Sequence, residues 1–181
     1  GVQTCALPIS IGPTGLPLDP TSAVSLKQSK KQYHDAVLAL TQYPFDALYL
    51  TGFKSLDDAQ CALMGARAVY DGPVFISLAP NGEGMFPGCR TLSEGVALCD
   101  EYGADVIGIV SDAPAHVLVG FAKEMASATD KPLLVDASVR RKDRRQFEPT
   151  DENPYPTADA VVELAVRLRA QGVQFLRASG A

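Results

Sequence analysis

Short apolar segments alternate with amphipathic segments along most of this chain. Apolar runs with almost no charge are typical of strands buried on both faces, and they occur at residues 47–50, 73–78, 106–110, 133–136 and 173–176. Apolar residues at three- and four-residue spacing predict helices over residues 25–41, 55–70, 91–102, 113–128 and 157–171. This order, a helix followed by alternating strands and helices, predicts a parallel sheet with helical crossovers.

Polar residues between these segments predict where the helices begin. Three helices have an N-cap residue followed three positions later by a polar partner, the arrangement of a capping box. The pairs are Ser25 with Gln28, Ser55 with Asp58, and Thr91 with Glu94. The helix after the strand at 106–110 is predicted to have Asp112 as its N-cap and Pro114 in its first turn.

A doubly wound sheet and a (β/α)8 barrel both fit this order of elements. No Gly-x-Gly-x-x-Gly motif follows any predicted strand, so the dinucleotide-binding fingerprint is absent. A complete barrel needs eight strands and typically about 250 residues. Five strands in 181 residues would therefore form an incomplete barrel.

Composition and charge narrow the range of partners. The chain is 46% apolar and 20% charged, which is ordinary for a globular domain. Its net charge of −5 argues against a nucleic-acid or membrane surface, and no apolar run approaches the roughly 20 residues of a membrane-spanning helix. The basic run at residues 140–145 has no interleaved aromatic residue and is interpreted as a solvated loop. The four cysteines show no metal-ligand or disulfide spacing, which favours a reducing, cytoplasmic location.

The first nine residues need separate treatment. Residues 1–9 read like the translation of a sequencing adapter, so a read-through segment is expected there. Residues 10–181 are then assigned to one domain, the C-terminal part of a barrel. The native chain would start upstream of this segment.

A series of short segments points to a known family by its order and spacing. The segments are residues 12–15, 46–50, 56–60, 73–77, 90–93, 103–109, 128–135 and 172–176. Together they resemble the homocysteine S-methyltransferase family, whose homocysteine-binding domain is also the N-terminal barrel of cobalamin-dependent methionine synthase. The resemblance implies a partial (β/α)8 TIM barrel, roughly strands 4 to 8 with their helices. Its N-terminal strands would be missing, with strand three ending near Ile11.

The family's metal centre is not matched in this sequence. In that family three Cys thiolates hold a zinc ion, and its open position binds the substrate thiol. The matching positions here are Ser111, Ser179 and Gly180, so the resemblance implies no metal ligands at this site. A serine hydroxyl is a poor substitute, because zinc sites are built from Cys, His and carboxylates.

The positions that hold substrate in the family have also changed. A Glu-Thr pair after the fourth strand matches Thr51 and Gly52, and the Asn-Cys pair of the sixth strand matches Val110 and Ser111. The resemblance therefore implies a substrate-binding site at these four residues, without the family's usual side chains. We infer a divergent member that has kept the barrel while changing or losing the reaction.

Three charged residues at strand ends are weak catalytic candidates. Asp112 is either an acid or base at the barrel mouth or a helix N-cap, and the cap is favoured. Asp136 interrupts an apolar strand where a βα loop begins, and a structural and a functional role fit equally well. Arg177 either binds an anionic ligand or pairs with Asp112 or Asp136, and pairing is favoured because an isolated buried charge is costly.

The leading functional expectation is methyl transfer to a thiol in methionine and one-carbon metabolism. The substrate would be a small-molecule thiol or another small metabolite, with no nucleic acid or membrane as partner. The alternative is a non-catalytic barrel, a pseudoenzyme that serves as a binding or scaffold module of a larger corrinoid or folate methyltransferase. Cobalamin or folate would then bind to other domains, and no cofactor is expected in this chain.

Overall fold

A curled, six-stranded parallel sheet forms the centre of the molecule. The computed structural model describes residues 8–139, 148–150 and 153–180 of the chain. In spatial order, the strands are β1 (Pro8–Ile11), β2 (Ala47–Phe53), β3 (Val74–Leu78), β6 (Val106–Ser111), β7 (Leu133–Ser138) and β8 (Val173–Ser179). Two short strands, β4 (Met85–Phe86) and β5 (Arg90–Thr91), pair with each other as a separate antiparallel ribbon.

Five helices in the described residues connect the strands of the sheet. They are α1 (Ala23–Leu40), α2 (Leu56–Arg67), α3 (Leu92–Glu101), α4 (Ala115–Ala128) and α5 (Ala158–Ala170). Each crossover joins parallel strands that are neighbours in space, so the sheet is wound in one direction and curls into half of a barrel. None of these helices is both long and apolar enough to cross a bilayer.

The sheet has one strand more than the apolar pattern predicts. Pro8 and Ile9, which fall in the expected read-through segment, form the first half of β1, and this strand pairs in parallel with β2. The strand ends at Ile11, where the family resemblance places a strand end. The apolar pattern does not predict this strand, because two of its four residues fall in the segment interpreted as read-through. The rest of that segment, residues 1–7, and the basic run at 140–145 lie outside the described part of the chain.

Two of the predicted helix starts are wrong. Helix α1 begins earlier than expected, because Ser22 is its N-cap and accepts a hydrogen bond from the Ser25 backbone N–H at 3.3 Å. Asp112 is not the N-cap of α4: the extended Pro114 occupies that position, and Asp112 is exposed before it. The caps at Ser55 and at Thr91 with Glu94 are confirmed.

The two faces of the sheet have different environments. Successive side chains of each strand point to opposite faces of the sheet. Those on the outer face, including Leu50, Ile76 and Ile109, pack against the helices in the main apolar core. The opposite face, on the concave side of the curl, is called the inner face. On the face away from the helices, Tyr49, Val106 and Leu134 form a second small cluster with Phe75. Toward the carboxyl ends of the same strands, the inner face carries polar side chains that contact one another.

Arg67 ties together the ends of the sheet that lie opposite the carboxyl ends of the strands. Its Nε and Nη2 donate to the Gly103 carbonyl at 2.9 and 2.6 Å, and its Nη1 donates to the Gly72 carbonyl at 2.7 Å. Nη2 also contacts the Asp105 carboxylate at 2.6 Å, and this carboxylate accepts the Val74 backbone N–H at 2.8 Å. One side chain from α2 therefore fixes the turns that lead into β3 and β6.

The turn of the β4–β5 ribbon holds an unfavourable backbone conformation. Cys89 is exposed and has a φ of 59°, in the left-handed region that costs a residue with a Cβ about 1–2 kcal/mol. We expect Cys89→Gly to raise the free energy of unfolding by about 0.5 kcal/mol, because glycine removes this strain but gains freedom in the unfolded chain. Urea denaturation measures the change. Cys89→Ala keeps the Cβ and should give no gain, so equal gains in both variants would contradict the explanation.

Candidate functional site

A cleft of about 760 Å³ opens at the carboxyl ends of the strands. One wall consists of the ends of β2, β6 and β7, and the other consists of the β4–β5 ribbon and the loop before it. The lining residues are Gly52, Lys54, Ala79, Pro80, Asn81, Met85, Phe86, Pro87, Val110, Ser111, Asp112 and Ser138. Chemistry in parallel α/β barrels occurs at this end of the sheet, because the βα loops converge there.

Asn81 builds the ribbon wall of the cleft. Its Oδ1 accepts the backbone N–H groups of Glu83 and Met85, at 3.0 and 2.9 Å, and its own N–H donates to the Met85 carbonyl at 3.0 Å. These bonds close the turn that leads into β4. Phe86, which follows, is buried against the core and anchors the ribbon over the strand ends.

A chain of hydroxyl groups lies on the inner face just below the cleft. The Tyr49 hydroxyl donates to Ser77 Oγ at 2.9 Å, and Ser77 Oγ is 3.1 Å from Thr51 Oγ1. The Gly52 N–H also points at Ser77 Oγ, at 3.4 Å. Burial raises the pKa of the Tyr49 phenol, although its hydrogen bonds to Ser77 and Thr51 oppose the shift, so this group is a neutral donor.

Asp136 is the buried acid of this face and has a partner at each oxygen. Ser179 Oγ donates to its Oδ1 at 2.5 Å, and the Tyr49 hydroxyl lies 3.3 Å from its Oδ2. Arg177 Nη1 is 3.6 Å from the same Oδ2, and the guanidinium carbon lies 5.4 Å from the centre of the Tyr49 ring. The expected pairing of Arg177 is therefore confirmed, with Asp136 as its partner.

The residues singled out in the sequence fall into two groups in the structure. Gly52, Val110, Ser111 and Asp112 line the cleft. A second set lies on the inner face, where hydrogen bonds and an ion pair connect it: Thr51, Asp136, Arg177 and Ser179. Sequence reasoning missed Tyr49 and Ser77, which link the two sets. Their signal was period-two alternation within strands that had been interpreted as uniformly apolar.

The residues present do not fit a three-thiolate zinc centre. Ser111 Oγ accepts the Ala113 N–H at 3.1 Å, and the Ser179 hydroxyl is bonded to Asp136. A Cβ on Gly180 would lie 1.7 Å from the Val139 carbonyl oxygen, so no side chain can extend from this position. No three His, Cys, Asp or Glu side chains meet as a ligand set within the described parts of the chain. The matched positions thus offer two hydroxyl groups already in use and one glycine.

The parallel half-barrel, with a cleft at the carboxyl ends of its strands, is a partial fold of the (β/α)8-barrel type. No family model matches the chain, and no curated protein matches it in sequence. In structure it is similar to the apo form of the homocysteine methyltransferase MmuM from Escherichia coli, with a TM-score of 0.74 and 14% identity over 97% of this chain and 57% of that one.

Other solved structures are similar to a lesser degree. The metallated form of the same enzyme gives a TM-score of 0.61 at 14% identity, over 93% of this chain and 54% of that one. The carboxyl transferase domain of Rhizobium etli pyruvate carboxylase gives 0.58 at 9% identity, over 97% and 27% of the two chains. At such identities the likeness shows the barrel-type fold. The chain spans just over half the length of the methyltransferase.

Proposed function

We propose that this chain is part of a methyltransferase-type barrel that transfers a methyl group to a small thiol bound in the cleft. The observation that supports the proposal best is the structural likeness to the methyltransferase MmuM, which extends over 97% of the chain. The family resemblance of the sequence segments points to the same reaction. The reaction would belong to methionine and one-carbon metabolism.

The cleft has the size and lining of a metabolite site. Pockets of 300–1,000 Å³, mostly apolar with a few polar groups, are typical of small-molecule sites, and this cleft is about 760 Å³. Pro80, Met85 and Val110 supply apolar surface for the methylene groups of a thiol metabolite. Lys54 and Asp112 add one charge of each sign at the edge, which suits a zwitterionic ligand.

The reaction needs a deprotonated sulfur, because the thiolate is the nucleophile that takes the methyl group. A zinc ion held by three Cys thiolates would supply this deprotonated sulfur, but the matching positions are Ser111, Ser179 and Gly180, which carry no thiol group. We therefore propose a divergent site in which the cleft binds and orients the acceptor without the three-thiolate centre.

Binding of a thiol tests this function directly. Isothermal titration calorimetry with homocysteine should show saturable binding, and homoserine, which has oxygen in place of sulfur, should bind more weakly. Val110→Trp fills the cleft and should weaken binding by about tenfold or more. Val162→Trp places the same bulk on an exposed position of α5 and should bind as the wild type does.

Two results would count against the proposed function. The first is the absence of thiol binding to the wild type, and the second is equal binding by the Val110→Trp and Val162→Trp variants. Methyl transfer is then assayed by mass spectrometry of the thiol after incubation with a sulfonium methyl donor.

Metal content provides a separate test of the site chemistry. We expect well below one zinc ion per chain after incubation with zinc and desalting, measured by inductively coupled plasma mass spectrometry. A Ser111→Cys/Ser179→Cys double variant should still lack a tight site, because Gly180 cannot carry the third ligand. One tightly bound zinc ion per wild-type chain would show that other residues supply the ligands.

A further inference from the structure

The guanidinium group of Arg177 occupies an unusual position on the inner face of the half-barrel. Its side chain is 48% exposed, whereas the side chain of its partner Asp136 is 3% exposed. The Arg177 side chain therefore contacts the buried residues Tyr49 and Asp136, and about half of it is accessible to solvent. Arg177 lies on β8, which is the last strand of the described sheet.

Most of the hydrogen-bonding capacity of Arg177 is not used by Asp136. The closest approach involves Nη1 alone and is 3.6 Å, which is longer than a hydrogen bond. Asp136 instead accepts a short hydrogen bond from the Ser179 hydroxyl, and the Tyr49 hydroxyl, which donates to Ser77, lies 3.3 Å from its Oδ2. Within the described residues, Asp136 is the one ion-pair partner of Arg177. An arginine has five N–H donors in a planar fork, and among the described residues the ion pair of Arg177 involves Nη1, so the edge formed by Nε and Nη2 is available to a ligand.

The ring of Tyr49 restricts the position of the guanidinium group. It packs on the ring of Tyr49, with 5.4 Å between the guanidinium carbon and the ring centre. Tyr49 is itself buried and bonded to Ser77. A donor fork that is already ordered loses little side-chain freedom on binding, and this favours recognition of an anion.

We propose that Arg177 binds the carboxylate of an organic acid through two parallel N–H donors. The site adjoins the cleft, because Asp136 is paired in register with Val110 on one side and with Arg177 on the other. Two strand spacings, about 10 Å, therefore separate Arg177 from the cleft wall at Val110. An organic acid of metabolite length would span this distance. The inference goes beyond methyl transfer, since it concerns only the anion.

The charge of the surroundings favours a carboxylate over a phosphate group. Asp136 already balances the single positive charge of Arg177, and the chain as a whole carries a net charge of −5. A monoanionic, planar carboxylate matches the fork with the least added repulsion. A dianionic phosphate group would bring twice the negative charge to a pair that is already neutral.

Titration of the arginine Nε–H resonances by two-dimensional ¹H–¹⁵N nuclear magnetic resonance tests the site, with acetate as the probe. We expect one Nε–H resonance to shift saturably with a dissociation constant in the millimolar range. Arg177→Lys identifies this resonance by its loss. Lysine keeps the charge beside Asp136 but lacks the fork, so acetate binding, followed by backbone amide shifts, should weaken by about fivefold or more.

Two further variants separate binding from folding. Arg177→Gln combined with Asp136→Asn removes both charges together, so neither is left buried alone, and acetate binding should be lost. Arg169→Gln removes an exposed arginine of α5 and should leave the titration unchanged.

Three results would overturn the inference. The first is the absence of a saturable shift in the wild type. The second is acetate binding by Arg177→Lys that equals that of the wild type. The third is a lower dissociation constant for inorganic phosphate than for acetate, measured from the shift of the Arg177 Nε–H resonance. Acetate contains no sulfur, so a failure of thiol methylation leaves this test unaffected, and a failure here leaves the thiol binding measurement unaffected.

Discussion

Replacing Gly108 by alanine is expected to lower the free energy of unfolding by about 3 kcal/mol or to prevent folding. Gly108 lies in β6, between β3 and β7, and pairs with Leu134. A Cβ at this position would be 2.2 Å from the Leu134 carbonyl oxygen and 2.8 Å from its carbonyl carbon. The obstruction is backbone in the middle of a sheet, so neither strand can move aside without breaking its ladder. Urea denaturation measures the loss, as a lower midpoint with an unchanged dependence of the free energy of unfolding on urea concentration.

The same substitution in α4 provides a matched control. Gly120 is exposed within α4, and a Cβ there would have no neighbour within 4 Å. Gly120→Ala should raise the free energy of unfolding by up to about 1 kcal/mol, because alanine is the better helix former. Effects of the same sign in the two variants would contradict the close approach of β6 and β7.

Arg67→Met is expected to lower the free energy of unfolding by about 3 kcal/mol. Methionine keeps much of the apolar stem but removes the donors to the Gly72 and Gly103 carbonyl groups, which are left without these partners. The Asp105 carboxylate also loses its cation. Thermal and urea unfolding of the variant measure the effect. Arg169→Met, on an exposed position of α5, should change little, and a similar loss in both would refute the special role of Arg67.

The effect of Arg67→Met should depend on pH. Burial raises the pKa of Asp105, but the hydrogen bonds from the Val74 N–H and from Arg67 outweigh it and hold the pKa below its ordinary value. A lowered pKa in the folded state adds stability that is complete above the ordinary pKa and is lost as the pH falls through the lowered one. The difference between wild type and variant should therefore shrink in acid. A difference that is constant down to the lowest pH at which the protein folds would show that Asp105 contributes nothing.

The apolar pattern predicted the strands more reliably than their ends. Five of the six sheet strands are predicted by their apolar runs: four of them are largely buried, as the pattern indicates, whereas β8 is mostly exposed beyond Val173. Their carboxyl ends were cut short: β2 continues to Phe53, and β8 continues through Arg177 to Ser179. The polar residues at these ends do not terminate the strands, because their side chains contact one another on the concave inner face while their backbones remain paired in the sheet.

The cleft was partly predictable and the network below it was not. The rule that chemistry lies at the carboxyl ends of parallel strands predicts Ser111 and Asp112 at the cleft, and the family resemblance adds Gly52 and Val110. The contact between Tyr49 and Asp136, however, joins residues 87 positions apart. It depends on strand order and on a match of register across the curl, neither of which the local sequence contains. Asp112 was misassigned because Pro114 rather than Asp112 precedes the first helical residue.

The Arg67 contacts and the cleft lie at opposite ends of the same strands, and this separation bears on how the chain can evolve. Arg67 holds the turns before β3 and β6 mainly through hydrogen bonds to backbone carbonyl groups. Substitutions at the rim of the cleft do not remove these bonds. Substitutions at the rim are free to accumulate while the barrel persists. Such evolutionary latitude would let a barrel of this type exchange the side chains of its cleft while keeping its fold. It also makes the loops after β2, β3 and β6 the natural places to graft a new specificity.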